Sequence, residues 1–68
     1  MTGAAHLILI DQSGAKQEIP QPSTADAMIE AEQVMHRTGQ QLREVKVVSW
    51  HTAIARWKAD ELGWHRVA

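Results

Sequence analysis

The sequence predicts a small α+β domain of order ββαβββ, an antiparallel sheet with one helix packed on one of its faces. Three observations lead there. Short β-prone runs are separated by turn residues, one stretch of helical period follows a pair of prolines, and 68 residues leave room for a single core. The whole chain, 1–68, reads as one domain, with no repeat, low-complexity tract or linker.

The first strand is expected at His6–Ile10, an apolar β-prone run. Gln12, Ser13 and Gly14 supply a turn, and Ala15–Ile19 alternates weakly as the return strand of a hairpin. Pro20 and Pro22 are expected to close that strand, because proline donates no ladder hydrogen bond and drives the residue before it away from helix. Ser23 or Thr24 then offers an N-cap, and Asp26, three residues after Ser23, completes a capping box near the positive end of the dipole. Ala27, Met28, Ala31, Val34, Met35 and Thr38 recur at helical spacing, opposite Asp26, Glu30, Gln33 and Arg37. A helix over Thr24–Thr38 follows, with Met28, Ala31 and Met35 on the sheet and Gly39 as its left-handed stop.

Arg43–Trp50 is predicted as a strand, with Val45 and Val47 on one side and Lys46, Val48 and Trp50 on the other. Thr52–Leu62 can be read in two ways. Trp50, Ala53, Ile54 and Trp57 keep helical spacing ahead of Gly63, which gives the alternative order ββαβα with a second helix at about 52–62. The strand reading is preferred. Asp60 and Glu61 would oppose the dipole in a last helical turn, and Trp64–Val67 would lose its hairpin partner across the Asp60–Gly63 turn.

Composition narrows the chemistry. The chain has no cysteine, so disulfides are excluded and a reducing, cytoplasmic setting is expected. The apolar run Leu7–Ile10 is too short for a signal or membrane-spanning segment. Asn, Phe and Tyr are absent, a bias of GC-rich bacterial or phage coding sequence. The net charge of −1 hides an asymmetry: up to Met35, Lys16 stands against Asp11, Glu18, Asp26, Glu30 and Glu32, whereas beyond it Arg37, Arg43, Lys46, Arg56, Lys58 and Arg66 outnumber Glu44, Asp60 and Glu61. An anionic or self-complementary partner would suit that split. No glycine-rich phosphate loop, paired-histidine metal spacing or nucleophile elbow is present, and His6, His36, His51 and His65 lie at unrelated spacings. Neither a catalytic residue nor a metal or cofactor site is assigned.

The pattern that points to binding is basic and aromatic. If residues of equal parity share a face, Lys46, Trp50, Arg56, Lys58, Trp64 and Arg66 form one exposed sheet surface with Val48 and Ile54, while Trp57 joins the core with Ala53 and Ala55. Cations and indoles together attract phosphates, stack on bases and anchor protein partners.

The layout resembles small phage and mobile-element proteins, among them the anti-CRISPR inhibitors of type I surveillance complexes. It does so through Gln17–Pro20 ending a strand, Ser23–Ala27 opening a helix, a Val-rich strand, and Arg56, Trp57 and Lys58 before an acidic turn and Trp64. That resemblance implies a non-catalytic module that occludes a protein or ribonucleoprotein complex. Direct nucleic-acid binding by the same face is the alternative reading, and a homodimer joined through that face or a free strand edge is a third.

Overall fold

The structure, a computed structural model, describes residues 5–38 and 41–67, without the side chain of Thr38. Gly39, the expected helix stop, lies outside the described residues. The element order is β1 (Ala5–Asp11), β2 (Lys16–Gln21), α1 (Thr24–Thr38), β3 (Leu42–Ser49), β4 (Thr52–Asp60) and β5 (Gly63–Arg66). The strands form one antiparallel sheet in the order β2-β1-β3-β4-β5. This is the ββαβββ α+β domain that the sequence predicts, and the segment from Thr52 is strand, not a second helix.

Local chemistry accounts for each boundary. The β1–β2 turn is closed by Asp11, whose Oδ1 accepts hydrogen bonds from Ser13 Oγ (2.7 Å), Ser13 N (2.9 Å) and Ala15 N (3.0 Å), while Gly14 takes φ +90°. A Cβ is strained in that conformation. Pro20 does not end β2. It pairs with His6 inside the strand, which is tolerated because β2 is an edge of the sheet, where an absent N–H interrupts no ladder. The helix opens as predicted: Asp26 N donates to Ser23 Oγ (3.1 Å) and Ser23 Oγ donates to Asp26 Oδ2 (3.0 Å).

One side of the sheet is the core. Ala5, Leu7 and Leu9 of β1, Val45 and Val47 of β3 and Ala55 of β4 bury against Ala27, Ala31 and Val34 of α1. The helix lies chiefly on β3 and β1, so it covers the β4–β5 end of this side less. Of the residues expected on the sheet, Ala31 is fully buried, whereas Met28 and Met35 pack against the core only half-buried, and Val34 is the larger buried side chain of the stripe. Trp57 packs on the core from β4, as predicted.

Candidate functional site

Two two-residue loops, β3–β4 and β4–β5, decide which side chains meet. Partners across an antiparallel ladder share a face, so a hairpin with an even loop pairs odd-numbered residues with even-numbered ones. The β4–β5 loop is Glu61 and Leu62, and it pairs Trp57 with Arg66, Lys58 with His65, and Ala59 with Trp64. Trp64 and Arg66 therefore lie on the helix side with Trp57, not with Arg56 and Lys58. The expected single face of Lys46, Trp50, Arg56, Lys58, Trp64 and Arg66 is divided by that slip of one residue.

The β3–β4 turn follows the same rule and then escapes it. Its loop, Trp50 and His51, reverses parity at Ser49–Thr52 and Val48–Ala53, but the register shifts at Ile54 and restores it for Val47–Ala55 and Lys46–Arg56. Lys46, Arg56 and Lys58 consequently do share the open face. Trp50 is not in a strand at all. It occupies the turn at φ 52°, next to His51 at φ 68°, and its surface is 67% exposed.

On the open face the cations surround a carboxylate that sequence reasoning did not single out. Glu44 is opposite Ile10 on one strand and Lys58 on the other. Its Oε2 lies 3.2 Å from Arg56 Nη2, accepts a hydrogen bond from Arg56 Nε at 3.2 Å, and is 3.7 Å from Lys46 Nζ. The Glu44 side chain is only 12% exposed, so these contacts compensate a desolvated charge. Further out, His65 Nε2 lies 3.3 Å from Asp60 Oδ2. By register, Lys16, Lys46, Arg56 and Lys58 share this face with Glu18, Glu44 and Asp60, so its charge is mixed rather than basic.

The helix side carries a second feature. Where α1 covers the sheet less, beside β4 and β5, Trp57, Trp64, Met35, Glu32 and His36 line an open cleft of about 360 Å³. The Arg66 guanidinium carbon sits 5.8 Å from the centre of the Trp57 ring, a cation–π distance. Trp64 Nε1 is buried and has no acceptor among the described residues. The signal for this cleft was the two-residue loop Glu61–Leu62, which fixes the parity of Trp64.

The fold and these two surfaces define a small α+β domain with an exposed turn indole and a Trp-walled cleft. Family models, curated proteins and solved structures give no match to the chain. Among the described residues no helix is long and apolar enough to cross a membrane.

Proposed function

We propose that this chain is a non-catalytic binding module, acting in the cytoplasm, that engages a protein or ribonucleoprotein partner with Trp50 as its anchor. The observation that carries the reading is the turn itself. Both central residues of a two-residue hairpin loop have positive φ, a conformation usually given to Asn-Gly, yet here they are a tryptophan and a histidine. Strain of that kind, kept in order to hold an indole in solvent, is a recurrent mark of a binding position. Tryptophan is also among the commonest interface anchors.

Around it the surface suits a protein. Val48 ends the open face beside the turn, Ile54 is 39% and Val67 46% exposed, and Lys58, exposed and outside the Glu44 cluster, lies further along the same face as an electrostatic guide. Nucleic acid is a poorer fit to that face, because Lys46 and Arg56 are turned onto Glu44 instead of being left for phosphates. The layout's resemblance to type I anti-CRISPR inhibitors makes occlusion of such a surveillance complex the first specific form of this proposal to try.

The test is affinity capture from the native host with the parent and with Trp50→Ala, scoring protein and RNA separately. Trp50 is 67% exposed, so Trp50→Ala should fold and melt close to the parent while capture falls by about tenfold or more, the loss typical of an anchor indole. Undiminished capture by the folded variant would refute the role of Trp50.

A further inference from the structure

The cleft beside α1 is lined by residues other than those of the Trp50 turn. Trp57 and Trp64 line it with their indoles, Met35 adds an apolar edge, and Glu32, one helical turn before His36, supplies a carboxylate. Indole faces are electron-rich, and a carboxylate beside them completes the arrangement that favours an organic cation. The chain already displays the affinity: its own Arg66 guanidinium lies against the Trp57 ring.

One further observation says what carries that cation. Trp64 belongs to β5, the terminal strand of the sheet, whose outer edge has no strand neighbour among the described residues. A polypeptide laid along that edge would pair its main chain with β5 in the plane of the sheet and send alternate side chains over the floor of the cleft. We propose that the cleft formed by Glu32, Met35, His36, Trp57 and Trp64 receives an arginine or lysine side chain of a partner segment added as a strand beside β5.

The indole N–H signals of ¹⁵N-labelled protein test this directly, since the three tryptophans give three resolvable peaks that Trp50→Phe and Trp57→Phe assign. The probe is a blocked five-residue peptide with one central arginine. Its controls are the same peptide with citrulline, which keeps the shape and removes the charge, and methylguanidinium alone. The arginine peptide should move the Trp64 signal saturably, and the citrulline peptide should bind about tenfold more weakly or less tightly still. Methylguanidinium should be weaker than the peptide, because it lacks the strand contacts. Glu32→Gln, a substitution on an exposed helix position, should leave melting unchanged and remove most of the preference for charge. Trp50→Phe should not alter this titration, which separates failure here from failure of the turn anchor. Equal binding of the arginine and citrulline peptides, equal binding of methylguanidinium and peptide, or movement of the Trp64 signal only by an oligonucleotide would each overturn the proposal.

Discussion

Trp50 and His51 hold backbone conformations that cost a non-glycine residue about 1–2 kcal/mol each. Replacing the pair by Asn-Gly should therefore stabilise the domain by about 1–3 kcal/mol, a rise in melting temperature of roughly 4–8 °C per kcal/mol for a chain of this size. Thermal unfolding of the double variant checks it, and an unchanged or lower melting temperature would show that the turn is not strained. At the other end of the sheet, Asp11 is held below the ordinary carboxylate range, first by the Ser13 hydroxyl and then by the Ala15 backbone N–H. Because the folded value is depressed, the associated stability is present above the unfolded value near 3.9 and is lost as pH falls through the folded one. Asp11→Asn should thus remove part of the acid dependence of stability below about pH 4, measured by melting across a pH series. If parent and variant show the same acid profile, the Asp11 turn contributes nothing to it.

At the scale of elements, the open face divides residues that look alike in the sequence. Arg56 is tied to the desolvated Glu44, whereas Lys58, although opposite Glu44 on the ladder, is exposed. Lys58→Glu should change stability by less than about 1 kcal/mol. Arg56→Glu sets a second carboxylate against Glu44 and should destabilise by about 1–3 kcal/mol in denaturant unfolding, with Arg56→Gln milder. Equal effects of the two charge reversals would mean that Glu44 is not the hub of this face. The helix makes a parallel distinction: Val34 is 3% exposed in the core whereas Met35 borders the cleft, so Val34→Asp should abolish folding and Met35→Asp should be tolerated better. Circular dichroism of both variants decides between the two positions.

These contrasts show where sequence reasoning reached and where it stopped. Binary patterning and the Ser23–Asp26 cap were sufficient for α1, and alternation was sufficient for Val45 and Val47. The exposed carboxylates at Asp60 and Glu61 correctly argued against a second helix. Parity across the second hairpin was readable but was carried over wrongly: the expected Asp60–Gly63 turn has two central residues, which pairs odd positions with even ones and so places Trp64 and Arg66 on the helix side. The bulge at Ile54 left no signal in composition, yet it is what keeps Lys46 and Arg56 together. Met35, His36 and Glu32 looked like ordinary helix residues until the β4–β5 hairpin was seen beside them.

For the whole molecule, the arrangement is a thin one: a single helix lies chiefly on β1 and β3, and the β4–β5 end carries two indoles and a cleft. A fold this small has few buried residues to spare, so surfaces that stay open while carrying Trp50, Trp57 and Trp64 are where partner energy would enter. The central claim is that the partner is grasped as a protein, through an anchor indole with charged residues steering, and not as a polyanion. Its most direct measure is the affinity of the captured complex over a range of salt concentrations. The account predicts a shallow fall of log affinity with log salt, and a slope that Trp50→Ala leaves alone while lowering affinity throughout. A steep linear fall, with a slope of about −4 or beyond as release of several counterions requires, would contradict it and assign the open face to nucleic acid.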